Sequence, residues 1–168
     1  VKDGTKLRVK LWTNNSSEFK RLSQAVQAQL KSVGILADIT LFDASLINTE
    51  YKKGSSHQLA IRSYSWTNAD ILDWFFSAKR LGYPNVSMLN DPRAEELNAL
   101  AMNASRTWEQ RVAHFTAYHS YLLSQFAFAP IYQPGNLFSY AAKRLKMPER
   151  VRGNRIMSQT VLDMEAVN

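Results

Sequence analysis

The sequence predicts an α/β fold, with a small mixed sheet flanked by helices. An alternating apolar segment at residues 7–12 is followed by a helical apolar stripe at residues 18–33 and by a second extended segment at residues 35–42. A strand, a helix and a strand in this order form a β-α-β unit, in which the two strands are parallel and the crossover is right-handed. The length of 168 residues suits one compact domain.

Each part of the opening unit has its own signal. The first strand alternates apolar and polar residues, which is the pattern of a half-buried strand. The following helix has polar N-cap residues ahead of it, Gly34 after it, and an apolar residue at every third or fourth position. The residues of this stripe are Phe19, Leu22, Val26 and Leu30.

The rest of the chain continues with helices and one more strand. Asp43 is expected to cap a short helix that reaches about residue 53, and residues 59–64 are expected to form a third, buried strand. Residues 67–90 show no periodic pattern. Asp91 and Pro92 are a helix start, and Thr107 with Gln110 forms a capping box. The apolar stripe predicted for this last helix comprises Trp108, Val112, Phe115, Tyr118, Leu122 and Phe126.

Composition excludes several classes of site. The chain has no cysteine, which rules out disulfides, thiol nucleophiles and cysteine-ligated metals within it. No apolar run reaches the ~20 residues that span a bilayer, so we expect no insertion into a membrane. The chain begins with Val1 and has no apolar signal segment. We therefore expect it to be a piece of a longer protein.

The net charge of +7 is concentrated near the end of the chain. Residues 143–155 contain six basic side chains and one acidic one, and none of these thirteen residues is aromatic. Nucleic-acid surfaces combine basic residues with side chains that stack on bases or read them. We therefore expect residues 143–168 to be structural, or to return toward a second lobe, and we expect no nucleic-acid partner.

Catalytic patterns are scarce. His114 and His119 lie five residues apart on one predicted helix, so they face different directions, and His57 is remote from both in sequence. No nucleophile elbow, phosphate-binding glycine loop or zinc-binding HExxH motif is present. Asp70 and Asp73 could act as paired carboxylates, but no nucleophile lies near them in sequence. We predict no enzyme activity, no catalytic residue, no metal and no cofactor.

Aromatic residues crowd around Asp70 in the sequence. Aromatic walls with a few placed polar groups line concave binding sites. A hydrophobic core beneath a loop would give the same pattern, and the residues alone leave both interpretations open. The aromatic residues concerned are Tyr64, Trp66, Trp74, Phe75, Phe76 and Tyr83.

A series of short segments resembles a known family in order and spacing. The segments are residues 4–7, residues 29–35, Asp43, Ser65-Trp66 with the aspartates after it, Asn90-Asp91-Pro92 with Glu96-Leu97, Arg111 with residues 118–127, and Ala129-Pro130-Ile131-Tyr132. They resemble the C-terminal lobe of the periplasmic oligopeptide-, dipeptide- and nickel-binding proteins of ABC importers, the family 5 solute-binding proteins. The resemblance covers about residues 4–145.

This resemblance implies that residues 1–168 form one lobe of a clamshell, which closes with a second lobe over a ligand. The implied ligand is a small peptide or a similar small molecule, and the implied partners are the permease subunits of an ABC importer. The implied location is the periplasm, or the outer surface of a Gram-positive cell if the protein is a lipoprotein.

The resemblance also implies a set of ligand-binding residues. An aspartate shortly after the tryptophan pairs with the ligand's amino group in peptide-binding relatives. Asp70 is the best match, although Ala69 occupies the usual spacing. Asp73 matches the second aspartate, with Trp74 in place of the usual proline. An arginine ahead of the tryptophan reaches the ligand carboxylate in some relatives, and Arg62 matches it one residue out of step. The expected ligand-binding residues are Arg62, Tyr64, Trp66, Asp70, Asp73 and Asn85.

Two functions of other classes remain as alternatives. Some transcriptional regulators use the same architecture to sense a solute, and a helix-turn-helix region elsewhere in the full chain would favour that function. A hydrolase is the second alternative, and a nucleophile within hydrogen-bonding distance of a base would favour it.

Overall fold

The computed structural model describes residues 6–54, 56–64, 66, 68–133, 139–148 and 164–166. The chain divides into two units, Val1–Ala129 and Pro130–Asn168. The first unit holds the predicted β-α-β fold and all the expected ligand-binding residues.

The β-α-β unit is confirmed. Strand β1 spans Leu7–Asn14, helix α1 spans Ser17–Ser32 and strand β2 spans Ile35–Phe42. The two strands are parallel and pair over their full lengths. The Ser16 hydroxyl accepts a hydrogen bond from the Phe19 amide, which caps α1. After the helix, Gly34 adopts φ +86°, a left-handed conformation that glycine allows at little cost.

The apolar stripe of α1 packs against the sheet, as predicted. The buried residues beneath it are Leu11, Ala37 and Ile61, one from each strand or its immediate extension. The half-buried side chains of Phe19, Leu22, Val26 and Leu30 cover them. On the first strand the next residue, Trp12, joins Ile47 and Tyr51 in a second cluster.

The third strand is shorter than predicted. Strand β3 spans only Leu59–Ala60 and pairs in parallel with β1, which gives the strand order β2-β1-β3. The Ile61 amide still donates to the Trp12 carbonyl (3.0 Å), but the Ile61 carbonyl accepts from the Thr13 hydroxyl (3.1 Å). Because a side chain takes over this carbonyl, the backbone ladder ends there. The α/β class is confirmed, but the three-stranded sheet is parallel throughout, whereas the sequence predicts a mixed sheet.

The remaining helices of the first unit follow the predicted order with one addition. Helix α2 spans Ile47–Lys52, and helix α3 spans Ile71–Phe76, within the stretch expected to be irregular. A 3-10 turn at Ala78–Arg80 follows α3. Asp43 caps the turn that leads into α2, since its carboxylate accepts from the Ser45 amide (2.9 Å) and hydroxyl (2.6 Å).

The last two helices of this unit begin as predicted. Helix α4 spans Pro92–Ala99 and continues as a π-helical turn, Leu100–Ala104. The Asp91 carboxylate caps α4 through two backbone amides. Helix α5 spans Trp108–Ser124, and its capping box is confirmed.

The predicted stripe of α5 is only partly buried. Phe115, Tyr118 and Leu122 are buried, and the last two pack against Ala94 and Leu97 of α4. Trp108 and Val112 are exposed because α4 meets the later turns of α5 and leaves the first turns uncovered. Phe126 is 90% exposed and lies beyond the end of the helix, with φ +53°.

In the second unit, two short strands, β4 (Leu145–Lys146) and β5 (Glu165–Ala166), form an antiparallel pair. Lys143, Arg144 and Lys146 of the basic segment are exposed, whereas residues 149–163 of that segment lie outside the described residues. Within the part of the chain that the structure describes, no helix has the length and apolar character to cross a membrane.

Candidate functional site

The candidate site lies where the chain leaves β3. Parallel strands bring ligands to the carboxyl end of a sheet in α/β lobes, and β3 ends at Ala60, two residues before Arg62. The site comprises Arg62, Tyr64 and Trp66, then Asp70 and α3, and finally the loop that contains Tyr83 and Asn85.

Arg62 is enclosed by aromatic rings. Its guanidinium carbon lies 4.6–5.6 Å from four ring centroids. The rings belong to Tyr51, Tyr64, Phe75 and Tyr83. The guanidinium also donates to the Pro84 carbonyl at 3.2 Å. Cation–π contacts of this kind grow stronger as the cation loses water, so the rings hold the charge in place without neutralising it.

Among the described residues, no carboxylate lies within ion-pairing distance of Arg62. Burial lowers the pKa of the Arg62 guanidinium, and the hydroxyls of Tyr51 and Tyr83 oppose this shift. Arginine nevertheless stays protonated in proteins. The site therefore contains a partly desolvated cation, which is suited to an anionic group.

Asp70 directly precedes α3 but does not cap it. Its side chain makes no cap hydrogen bond to the helix. Its Oδ1 atom is buried and has no hydrogen-bond partner among the described residues. A buried polar atom without a partner is costly, and more so for a charged group. The Asp70 carboxylate is thus available to accept a hydrogen bond from a cationic group.

Asp73, the other candidate aspartate, makes contacts within the first unit through both of its carboxylate oxygens. Its Oδ1 atom accepts from Asn98 Nδ2 at 2.7 Å, and its Oδ2 atom accepts from Arg80 Nη2 at 3.2 Å. These contacts join α3 to the 3-10 turn and to α4. The different environments of the two aspartates favour Asp70 as the group that meets a ligand.

The aromatic residues of the site form two ring pairs, of which one is tilted and the other is stacked. Tyr64 and Phe75 have ring centroids 3.8 Å apart. Trp66 and Trp74 have centroids 6.2 Å apart, with planes inclined by 27°. Tyr64, Trp66 and Trp74 are all exposed. The aromatic crowd around Asp70 is therefore partly a surface, and only Phe76 packs against the neighbouring buried cluster of α4 and α5.

Asn85 is placed inside its loop. Its side chain is fully buried, and Nδ2 donates to the carbonyls of Ser77 (3.1 Å) and Leu89 (3.0 Å). Its Oδ1 atom accepts from the Ser87 hydroxyl at 2.8 Å. Sequence reasoning proposes Asn85 as a ligand contact. The geometry instead favours a supporting role, in which Asn85 holds the loop that carries Tyr83 and Pro84.

Sequence reasoning missed Tyr51 and His57, which lie beneath Arg62. Their rings are 5.1 Å apart, and His57 Nε2 lies 3.2 Å from the Val86 carbonyl. Burial raises the pKa of Tyr51 to about 12. Burial also lowers the pKa of His57, and the nearby Arg62 charge lowers it further. The i, i+4 spacing of Ile47 and Tyr51 on α2 was the available signal that Tyr51 faces the core.

The other two histidines belong to α5. His114 Nδ1 lies 2.9 Å from the Ser105 hydroxyl, and His119 is exposed and stacks near Phe128. Across the described ranges, no three His, Asp or Glu side chains are grouped closely enough to hold a metal ion.

A groove of about 510 Å³ runs between residues 68–72 and α5. It adjoins the segment that carries Asp70, and its walls are mostly apolar. It is lined by Asn68, Ala69, Ile71, Leu72, Trp108, Arg111, Val112, Phe115, Thr116 and His119.

Comparison with known proteins gives a result for structure but not for sequence. No protein-family model matches the chain, and no curated protein matches it in sequence. Solved structures do match in fold, among them periplasmic binding proteins and binding proteins of ABC transporters, each over about a quarter of its own length. The predicted resemblance is confirmed at the level of the fold.

Three of these structures illustrate the match. The chain is similar to the oligopeptide-binding protein AppA of Bacillus subtilis, solved with a nonapeptide (TM-score 0.65, 20% identity, 76% of this chain and 26% of that one). It is similar to a nickel ABC transporter protein of Bacillus halodurans (0.64, 21%, 76% and 27%). It is also similar to the murein tripeptide binding protein MppA of Escherichia coli (0.64, 19%, 72% and 24%).

The chain spans about a quarter of the length of the solved structures that it matches. The three sequence identities are low, so these matches show similarity of fold alone.

Proposed function

We propose that this chain is the ligand-binding lobe of an extracytoplasmic solute-binding protein, which captures peptides for uptake by an ABC importer. The observation that carries the proposal is the pair of uncompensated groups in the site. Among the residues that the structure describes, the buried Oδ1 atom of Asp70 has no hydrogen-bond partner, and the Arg62 guanidinium, enclosed by aromatic rings, has no carboxylate within ion-pairing distance. A zwitterionic ligand complements both groups.

The comparisons support the binding role. The matching proteins are described by what they bind, including a nonapeptide for AppA and a murein tripeptide for MppA. Nickel-binding proteins share the fold as well, so the fold alone does not select the ligand. The choice of a peptide comes from Asp70 and its surroundings. Neither the regulator nor the hydrolase alternative gains support from these matches.

In this proposal the Asp70 carboxylate accepts a charge-assisted hydrogen bond from the peptide's amino terminus. Bonds of this type are about twice as strong as neutral ones. The bond would strengthen further as water leaves the site. A second lobe would supply the remaining contacts, and closure of the two lobes would desolvate the site. The proposed location is the periplasm or the outer cell surface, where permease subunits would receive the ligand.

The test compares two aspartates in the full-length protein by isothermal titration with peptides. Asp70→Asn should weaken binding by at least about tenfold, because removing one partner of a desolvated charged pair costs about 2–5 kcal/mol. Asp73→Asn should change affinity by less than about threefold while lowering stability, because it disturbs the contacts of Asp73 with Arg80 and Asn98.

Asp38→Asn is the matched control, since Asp38 forms an exposed ion pair with Arg8 at 2.6 Å and such pairs contribute little. Unchanged affinity for Asp70→Asn would remove Asp70 from the site. A larger loss of affinity at Asp73 would assign the anchor to that residue instead.

A further inference from the structure

Three side chains of the site form a continuous stack. The rings of Trp66 and Trp74 are stacked, with planes 27° from parallel. The Arg80 guanidinium carbon lies over the Trp74 ring, 4.2 Å from its centroid. Trp66 is 46% exposed, which is the largest exposed fraction among the aromatic side chains of the site. We call Trp66, Trp74 and Arg80 the tryptophan stack.

The stack is anchored at its inner end. Arg80 pairs with Asp73 at 3.2 Å, and Asp73 in turn accepts a hydrogen bond at 2.7 Å from Asn98 of α4. Asn98 is 95% buried, so the chain of contacts ends in the interior. Because Arg80 and Trp74 are held in this way, Trp66 rests on a fixed platform.

The stack lies beside the proposed amine anchor. Trp74 follows Asp70 by four residues, and the Trp74 amide donates to the Asp70 carbonyl at 3.3 Å. Residues spaced four apart on a helical turn share a face, with Cβ atoms about 5–6 Å apart. A ligand amine held by the Asp70 carboxylate therefore places the side chain of the first ligand residue within reach of these tryptophans.

We infer that the tryptophan stack binds a planar aromatic side chain on the first residue of the peptide and so favours peptides that begin with an aromatic residue. This inference rests on the proposed function. Aromatic rings prefer offset stacking at centroid distances of about 4.5–7 Å, and such pairs gain beyond the area they bury. A ring placed on Trp66 would extend the existing order of Arg80, Trp74 and Trp66 by one member. An aliphatic side chain would bury apolar surface against Trp66 but would not gain the additional stacking energy of two rings.

The experiment measures peptide binding to the full-length protein by isothermal titration. The peptides are Phe-Ala-Ala, Leu-Ala-Ala and Ala-Ala-Ala, each with a free amino terminus, and Leu-Ala-Ala controls for side-chain size. We expect Phe-Ala-Ala to bind at least about tenfold more tightly than Ala-Ala-Ala. Leu-Ala-Ala should lie between them.

Two variants of Trp66 test whether the stack causes the preference. Trp66→Ala should bring the ratio of Phe-Ala-Ala to Ala-Ala-Ala affinity to within about threefold. Trp66→Leu keeps apolar bulk and should leave Leu-Ala-Ala at least as tightly bound as Phe-Ala-Ala. The control is Phe126→Ala, which removes another exposed aromatic side chain, just beyond the end of α5 (90% exposed), and should leave the ratios unchanged.

The outcomes separate this inference from the proposed function. If the three peptides bind equally and Asp70→Asn still weakens all of them, the stack inference is wrong and the proposed function stands. The same holds if Trp66→Ala weakens every peptide to the same extent, because Trp66 would then contact the second lobe or the backbone of the ligand. If no peptide binds to the wild-type protein, both proposals fail.

Discussion

Asn85 offers a direct way to distinguish a residue that supports the site from one that contacts the ligand. Its side chain is fully buried and makes three hydrogen bonds within the loop formed by residues 77–89. Asn85→Ala removes all three and takes one donor from each of the Ser77 and Leu89 carbonyls, although the Ser77 carbonyl still accepts from the Arg80 amide at 3.0 Å. We expect this variant to fold less stably and to bind peptides almost normally once folded.

The expected loss of stability follows from these contacts. Each hydrogen bond contributes about 0.5–1.5 kcal/mol net, and a buried group left without a partner costs more. We therefore expect a loss of about 2–4 kcal/mol for Asn85→Ala. Ser87→Ala removes the hydroxyl that Asn85 Oδ1 accepts from and should cost no more than about 1 kcal/mol.

The assay is urea unfolding of the full-length protein, followed by isothermal titration under conditions in which each variant is folded. If affinity stays within about threefold of the wild type while stability falls, Asn85 holds the loop and does not contact the ligand. A supporting role is wrong if Asn85→Ala keeps its stability within about 0.5 kcal/mol and loses at least about tenfold in affinity. Asn85 would then contact the ligand.

Three further predictions concern other parts of the chain. The His57 pKa in the folded protein lies below its ordinary value, so the unfolded state binds the proton first as pH falls. The free energy of unfolding should therefore decrease as the pH falls below about 6.5. Urea unfolding at pH 7 and pH 5 should show a smaller decrease for His57→Gln than for the wild type. The 168-residue chain alone should give the circular dichroism spectrum of a folded α/β protein but should bind peptides only weakly, because it supplies one wall of the cleft. Micromolar affinity for a peptide, measured by calorimetry, would contradict this prediction. Binding of nucleic acid by residues 143–155 should vanish at physiological salt, and a gel shift that persists there and requires Arg150 and Arg152 would contradict the structural role.

The sequence was sufficient for the parts of the fold in which periodicity and capping agree. The alternation in β1, the stripe of α1 and the capping box at Thr107 each predict an element that the structure contains. It was insufficient where a single contact decides the outcome. The Thr13 hydroxyl ends β3 by taking the Ile61 carbonyl, and no local pattern marks that event.

The candidate site was harder to predict for a related reason. Helix α3 has only six residues, Ile71–Phe76, of which five are apolar, so no amphipathic stripe identifies it. The resemblance favours Asp70 over Asp73 as the ligand contact, although Asp70 is one residue out of step with the family pattern. The three-dimensional contacts of Asp73 with Arg80 and Asn98 supply the physical reason, which the sequence does not show. Arg62 was predicted by resemblance, but its aromatic enclosure depends on Tyr51 and Tyr83, which are distant in sequence.

A crystal structure of the full-length protein with the peptide that it binds would show whether Asp70 is the amine anchor. The peptide should lie enclosed between two lobes, with its amino nitrogen about 3 Å from the Asp70 carboxylate. A peptide whose amino terminus lies away from Asp70, with that carboxylate facing solvent, would rule out this anchor.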